Sequence, residues 1–221
     1  SSARFLPAHL PLHFPYFNLR NHRKILVVDG SLGFTGGMNI QEDETRDLHF
    51  RIEGPAVAHL QRVFAEDWEF TTEEALQGET WFPGIPSRGH AVARGIANGP
   101  NDARHASRLT VLGALSCARR SVRIVTPYFL PDTALLAALN VAALRGVQVD
   151  IVLPEVNNLR LVQWASTALL WQVLEHGCRV WLSPPPFDHS KLMVVDRAWT
   201  LLGSSNWDPR SFRLNFEFDM E

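Results

Sequence analysis

A pattern of polar and small residues occurs twice in this chain at one spacing, and no other feature constrains its fold as strongly. Each copy has a histidine, a lysine two residues later, an aspartate five residues after the lysine, and an asparagine ten residues after the aspartate. The copies are His22, Lys24, Asp29 and Asn39, and His189, Lys191, Asp196 and Asn206. Agreement over so many positions indicates an internal duplication whose two halves build one site.

The residues between these polar positions predict how each half presents them. The apolar, β-branched run between the lysine and the aspartate predicts a short buried strand in each copy. Side chains alternate between the faces of a strand, so a histidine and a lysine two residues apart share one face. The glycine-containing stretch that follows lets backbone approach a ligand, and the asparagine offers an amide donor. Each half therefore offers an imidazole, an ammonium and an amide.

Two imidazoles surrounded by cations suit the chemistry of a phosphodiester. One histidine can attack phosphorus while the other protonates the leaving oxygen, and lysine and amide donors can hold the phosphoryl oxygens. The pattern contains no P-loop, and the other histidines, among them His9 and His13, are scattered without metal-ligand spacing. We therefore expect neither a metal nor a cofactor.

The double motif resembles the H-x-K-x4-D motifs of the phospholipase D superfamily. Flanking segments resemble bacterial cardiolipin synthases more specifically, and this resemblance extends from about Arg20 to the end of the chain. The segments are 20–30, 34–39, 46–49, 53–57, 126–132, 145–147 and 204–217.

The resemblance implies a role for each motif residue. It implies that His22 is the nucleophile and His189 the acid, and that Lys24 and Lys191 hold the phosphate. Asp29 and Asp196 complete the catalytic motifs, but we expect them to act structurally, away from the phosphate. We expect further phosphate contacts from Asn39, Asn206 and Ser204, although the serine fits turn chemistry equally well.

Two carboxylates outside the motifs are candidates for orienting the histidines. Asp47 lies 25 residues after His22 and Glu217 lies 28 residues after His189, each in a strand-like run. A carboxylate on one imidazole nitrogen fixes the tautomer and raises the basicity of the ring. Whether each acid serves the histidine of its own half or of the other half stays open at this point.

Strand and helix patterns alternate from about residue 90 to the second motif. We predict strands at 90–97, 122–126, 147–153 and 178–182, and helices at 104–119, 132–145 and 158–176, with a further helix at 55–69 after the first motif. This order favours an α/β fold: a phospholipase D-like sandwich of mixed, largely parallel sheets with helices outside.

The two motifs predict two pseudo-symmetric halves of unequal completeness. We assign residues 1–85 to the C-terminal part of the first half and residues 86–221 to the second half. The first motif has only 21 residues before it, so we expect a fragment in which the first half is incomplete and the second is truncated at its end.

The resemblance implies phosphatidyl transfer through a phosphohistidine, giving cardiolipin from two phosphatidylglycerol molecules. A phospholipase D-type hydrolase or nuclease remains the alternative, but the net charge of −2 disfavours nucleic acid. We expect a peripheral membrane surface as partner and the bacterial cell membrane as location, while the sequence leaves the oligomeric state open. The apolar stretch from Leu159 to Leu174 is too short to span a bilayer, and its Trp164 and Trp171 are more typical of a core than of membrane contact.

Overall fold

The computed structural model describes residues 1–5, 19–40, 44–100 and 105–221. His9, His13 and residue 104 of the expected helix lie outside the described residues. The strands are β1 (Ile25–Val28), β2 (Leu32–Gly36), β3 (Thr45–Arg46), β4 (His49–Glu53), β5 (Gly95–Asn98), β6 (Ser121–Val125), β7 (Gln148–Pro154), β8 (Arg179–Ser183), β9 (Phe187–Asp188), β10 (Leu192–Val195), β11 (Trp199–Gly203) and β12 (Glu217–Met220). The helices are α1 (Val57–Thr72), α2 (Ala106–Cys117), α3 (Thr133–Leu144), α4 (Arg160–Leu174) and α5 (Pro209–Arg213).

The larger of two main sheets has seven strands in the order β5-β12-β11-β10-β6-β7-β8. β6, β7 and β8 pair in parallel, and the remaining neighbours pair antiparallel. As a result β5, β11, β6, β7 and β8 point one way, and only β10 and β12 run against them. The expected mixed, largely parallel sheet with alternating helices is therefore confirmed.

One predicted boundary in this sheet was wrong. The strand expected at 90–97 is β5, which begins only at Gly95. Its partner β12 pairs Met220 with Gly95, and the last hydrogen bonds of this ladder join Arg94 to Glu221. Among the described residues, 90–93 have no strand partner, and Val92 is almost fully exposed.

The smaller sheet, β1-β2-β4, repeats the antiparallel arrangement of β10, β11 and β12. Gly36 stands opposite His49 where β2 pairs with β4, and Gly203 stands opposite Asp219 where β11 pairs with β12. The next residue in each turn donates to the facing strand, Gly37 N to Leu48 O at 3.0 Å and Ser204 N to Phe218 O at 3.1 Å. The backbone around the motif therefore has the same local arrangement in each half.

The two strands that carry the motifs differ in burial. β10 lies between β6 and β11, so Met193 and Val195 are buried, as expected. β1 pairs only with β2 among the described strands, and Leu26 and Val28 on its outer face are 56% and 39% exposed. The expectation of a buried strand was therefore wrong for β1.

Apolar packing joins the halves. Phe218 and Met220 on one face of β12 pack with Leu60 and Val63 of α1, and Ile25 of β1 adds to this cluster. A larger cluster fills the space between the seven-stranded sheet and α2, α3 and α4. The opposite face of β12, which carries Glu217, is thus fixed by a core made from both halves. In the described ranges, no helix has the length and hydropathy that crossing a bilayer requires.

Candidate active site

Each motif histidine is held by backbone from the other half. His189 N donates to Arg46 O at 2.7 Å, next to the parallel pairing of β3 with β9. His22 N donates to Phe216 O at 2.8 Å, next to a parallel bridge between Asn21 and Phe216. Arg46 and Phe216 directly precede Asp47 and Glu217, the two carboxylates expected to orient the histidines. This backbone pairing between the halves therefore places each carboxylate beside the histidine of the other half.

Glu217 contacts the first-half histidine. Its Oε1 lies 3.3 Å from His22 Nδ1 and accepts from Asn215 Nδ2 at 3.1 Å, while Oε2 accepts from Ser204 Oγ at 2.5 Å. Asn215 Nδ2 also lies 3.3 Å from His22 Nδ1. Glu217 is fully buried, whereas one third of the His22 side chain is exposed. Because Glu217 faces Nδ1, the Nε2 lone pair of His22 is left for a substrate.

Asp47 makes the corresponding contact with the second-half histidine. Its Oδ2 lies 2.8 Å from His189 Nδ1, and its Oδ1 accepts from Leu48 N at 2.7 Å. The rings of Tyr128 and Phe187 pack beside His189, with centroid distances of 6.2 and 5.9 Å. The question that the sequence left open has a definite answer, because both carboxylates pair crosswise.

The two motif lysines occupy matching positions. Lys24 Nζ donates to His22 O at 2.7 Å, and Lys191 Nζ donates to His189 O at 2.6 Å and lies 3.1 Å from both ring nitrogens of His189. Burial lowers the pKa of Lys191 to about 7, although Asp47 opposes this shift. Burial also lowers the pKa of Lys24, against the charges of Glu217 and Asp47. Charges from both halves therefore act on each ammonium.

The His189 imidazole is neutral more readily than a free histidine. Burial lowers its pKa, the hydrogen bond with Asp47 raises it, and the charges of Lys191 and Lys24 lower it again. A phosphate entering between these cations would add negative charge and favour protonation of the ring. An anion bound there would therefore oppose the lowering of the His189 pKa by burial and by the two lysines.

The motif aspartates lie at turns. Asp29 and Asp196 adopt positive φ values of 50° and 54° directly after β1 and β10. Asp196 accepts from the main-chain N–H groups of Arg119, Arg120 and Ser121 at 2.9, 2.7 and 2.8 Å, and these bonds lower its pKa. This contact joins the end of β10 to the start of β6, in line with the expected structural role. Asp29 is exposed.

The three residues expected to bind phosphate have different environments. Asn206 is buried, and its Oδ1 has no hydrogen-bond partner within the described part of the chain. Asn39 is exposed. The Ser204 hydroxyl contacts Glu217 and accepts from Phe218 N at 3.0 Å. Phosphate contacts from all three stay predictions, and Ser204 supports Glu217 in this structure.

A buried carboxylate next to the site was not anticipated. Asp219 accepts from Ser205 N at 3.1 Å, Ser205 Oγ at 2.6 Å and Ser107 Oγ at 2.7 Å. Burial raises its pKa to about 6 against these hydrogen bonds. Asp219 therefore ties the turn that carries Asn206 to α2. Its position two residues after Glu217, on the same strand face, was the available signal.

Arg23 was also missed, although it lies between the first motif's histidine and lysine. Its guanidinium donates to Asp67 Oδ1 at 2.5 Å, Glu217 O at 3.2 Å and Asn98 O at 3.0 Å. It therefore ties the first motif to α1 and to β12. Asn215 contacts both His22 and Glu217.

Comparisons with known proteins agree with this geometry. The model of a family described as "Cardiolipin synthase, PLD-like domain" matches residues 111–221. The chain is 37% identical over 224 residues to a cardiolipin synthase of Alkalihalophilus pseudofirmus and 41% identical over 212 residues to cardiolipin synthase A of Pseudomonas putida. These matches cover 96% and 92% of this chain but 44% of each relative. The chain thus spans less than half the length of these relatives.

Two solved structures have the same fold. A phosphatidylserine synthase of Haemophilus influenzae aligns with 90% of this chain and 57% of its own, with a TM-score of 0.66 and 18% identity. The phospholipase D family member Nuc of Salmonella typhimurium aligns with 58% of this chain and 80% of its own, with a TM-score of 0.50 and 25% identity. The fold and the double motif define a phospholipase D-like protein. More particularly, the chain belongs to the family of cardiolipin synthase PLD-like domains.

Proposed function

We propose that the chain carries the phosphatidyl-transfer site of an enzyme that makes cardiolipin from two phosphatidylglycerol molecules and releases glycerol. The crosswise pairing of His22 with Glu217 and of His189 with Asp47 is the observation that carries this proposal. With this pairing, one imidazole can attack phosphorus while the other transfers a proton to or from the substrate oxygen. The naming of its relatives as cardiolipin synthases supports the choice of substrate.

In the first half-reaction, Nε2 of His22 attacks the phosphorus of a phosphatidylglycerol. The N–P bond forms while the bond from phosphorus to the glycerol oxygen breaks, and the proton on Nε2 of His189 passes to that oxygen. Lys24, Lys191 and the amides of Asn39 and Asn206 hold the charged phosphoryl oxygens. The products of this step are free glycerol and a phosphatidyl-histidine on His22.

In the second half-reaction, a glycerol hydroxyl of another phosphatidylglycerol enters. It gives its proton to Nε2 of His189 and its oxygen bonds to phosphorus as the N–P bond breaks. Cardiolipin leaves, His22 is free again and His189 is protonated for the next cycle. Asp47 and Glu217 hold each ring in the tautomer that these transfers require.

Water in place of the second lipid would give phosphatidate, so exclusion of water distinguishes a transferase from a hydrolase. Because the substrate is a membrane lipid, we place the site at the surface of the bacterial cell membrane. We retain residues 1–85 and 86–221 as two halves that share this one site.

The test is headgroup exchange on phosphatidylglycerol vesicles with the wild-type chain, His22→Ala and His189→Ala. His90→Ala, which changes an exposed histidine, is the matched control. We expect cardiolipin and glycerol from the wild type and the control, and a loss of at least about a thousandfold in either motif variant. Lipid turnover that survives both motif substitutions would contradict the proposal.

A second experiment identifies the nucleophile. A phosphatidylglycerol labelled in its acyl chain should leave an acid-labile label on a peptide that contains His22. Label on the peptide containing His189 would reverse the two assigned roles. Phosphatidate as the only product would replace the transferase by a hydrolase.

A further inference from the structure

Helix α4 exposes the residues that a surface helix usually buries. Leu161, Trp164 and Trp171 are 76%, 67% and 61% exposed, and Leu174 is 48% exposed. The fully covered positions of the helix are only Ser166 and Val173, and the Ser166 hydroxyl has no hydrogen-bond partner among the described residues. The sequence prediction that both tryptophans belong to a core is therefore wrong.

The exposed residues form one continuous surface. The spacing of Leu161, Trp164, Trp171 and Leu174 puts them on one side of a helix about 22 Å long. Val156 and Leu159, in the loop before the helix, are 57% and 49% exposed and extend this surface. We call these six residues the α4 surface. A contiguous apolar patch of this kind marks an interaction site rather than ordinary surface.

The α4 surface begins beside the candidate active site. Asn157 Nδ2 donates to Pro127 O at 2.8 Å, and the Tyr128 hydroxyl donates to Asn158 Oδ1 at 3.0 Å. The Tyr128 ring in turn packs edge-on against His189. The loop that starts the α4 surface is therefore fixed to the wall of the catalytic pocket.

The charged residues near this surface lie at its two ends, where the exposed Glu155 precedes Val156 and the exposed Glu175 follows Leu174. No charged residue occurs from Leu161 to Leu174. Arg160 is exposed at the end of the helix that lies nearest the site, and Arg213 of α5, which follows the motif turn at the same sheet edge, is 54% exposed. The support for a bilayer therefore comes from the exposed tryptophan and leucine side chains, which are the residues that interfacial helices bury at headgroup depth, and from the position of the surface beside the site.

We propose that the α4 surface docks on a phospholipid bilayer and sets the mouth of the active site against the lipid headgroups. This proposal rests on the proposed function, because a membrane lipid as substrate must reach the pocket from a bilayer. The helix lies in the interface plane with its tryptophans at headgroup depth, and the arginines contact lipid phosphates. A lipid can then move from the bilayer into the pocket along Tyr128 and Phe187.

The test measures flotation with phosphatidylglycerol vesicles for the wild-type chain and for the double variant Trp164→Ser/Trp171→Ser. The matched control is Phe70→Ser/Leu144→Ser, which removes two apolar residues of similar exposure, 62% and 70%, from α1 and α3. Circular dichroism and thermal melting show that each variant is folded. We expect the partition coefficient of the tryptophan variant to fall at least about tenfold, and that of the control to stay within about twofold of wild type.

The outcomes separate this proposal from its competitors. A folded tryptophan variant that binds vesicles as well as wild type would overturn it. So would a wild-type dimer that dissociates in the tryptophan variant while vesicle binding persists, because the α4 surface would then belong to a second copy. If the tryptophan variant is unfolded, Arg160→Glu takes its place, and unchanged vesicle binding by that variant would equally refute the docking.

A further arm distinguishes failure of the surface from failure of the proposed function. His22→Ala should float with vesicles like the wild type while it loses lipid turnover. Vesicle binding that depends on the tryptophans, without turnover by the wild type, would reject the transferase and support the docking surface. Turnover on vesicles that is unchanged in the tryptophan variant would support the transferase and reject the docking surface.

Discussion

Glu217→Gln replaces one oxygen of a fully buried carboxylate by an amide and should disable His22 without unfolding the protein. Glu217 Oε1 lies 3.3 Å from His22 Nδ1, so a carboxylate there requires a proton on Nδ1 and leaves Nε2 free. A glutamine amide in the same place presents an N–H to Nδ1. The ring then carries its proton on Nε2, the atom that must attack phosphorus.

The magnitude follows from the loss of the correct tautomer. Such a loss costs about a thousandfold to ten-thousandfold in turnover, or about 4–5 kcal/mol in the barrier. The hydrogen bond from Ser204 can still be made to the remaining oxygen, whereas Asn215 Nδ2 loses its acceptor. We therefore expect the free energy of unfolding to change by no more than about 2 kcal/mol.

The assay is release of glycerol from phosphatidylglycerol vesicles, together with NMR of isotope-labelled histidine to assign the protonated ring nitrogen of His22. Glu66→Gln, at an exposed position of α1, is the matched control and should behave as wild type. Turnover within tenfold of wild type in Glu217→Gln, or an Nε2-protonated His22 in the wild type, would refute the crosswise orientation of the histidines.

Four further predictions follow from the site. Activity should decline as the pH rises above about 7, because the buried Lys191 ammonium, whose pKa is lowered to about 7, is then lost. Between pH 7 and the ordinary lysine value of 10.5, the unfolded chain keeps this proton and the folded chain does not, so the free energy of unfolding should rise with pH. Denaturant titrations across this range should show a weaker rise for Lys191→Met. Asp219→Ala should lower the free energy of unfolding by about 3 kcal/mol, measured by chemical denaturation, because the buried amide and hydroxyl of Ser205 lose their acceptor; a change below 1 kcal/mol would contradict that role. Gly203→Ala should lower the melting temperature and cost at least about 2 kcal/mol, since a Cβ there would overlap the Phe218 carbonyl oxygen; an unchanged melting temperature would show that the turn can open.

Local spacing predicted much of this molecule from sequence. The motif strands and the alternation of strands with α2, α3 and α4 follow from apolar periodicity and were confirmed, except that β5 begins five residues later than expected and β1 is not buried. The two histidines and two lysines came from a repeated pattern with a chemical rationale. Their placement in the structure agrees with that pattern, while their roles in turnover stay proposals.

Features that depend on distant strands could not be predicted in this way. The identity of the histidine that Asp47 serves depends on β3 pairing with β9, which are 142 residues apart at this contact. Arg23 lies in the first motif, but its partners Asp67 and Asn98 come from α1 and β5. The prediction that Trp164 and Trp171 belong to a core was wrong for a related reason. Periodicity identifies a face of a helix but not what that face contacts.

The exchange of carboxylates between halves also bears on how such a chain arose. Either half alone would hold an imidazole without the acid that orients it, so two copies would have to associate to complete the site. Joining both copies in one chain makes that association permanent and allows them to differ. His49 of the first half stands at the place of Asp219 in the second half, and Gly37 stands at the place of Ser204. Two copies joined in one chain can carry different residues at equivalent places, which an assembly of identical subunits cannot do.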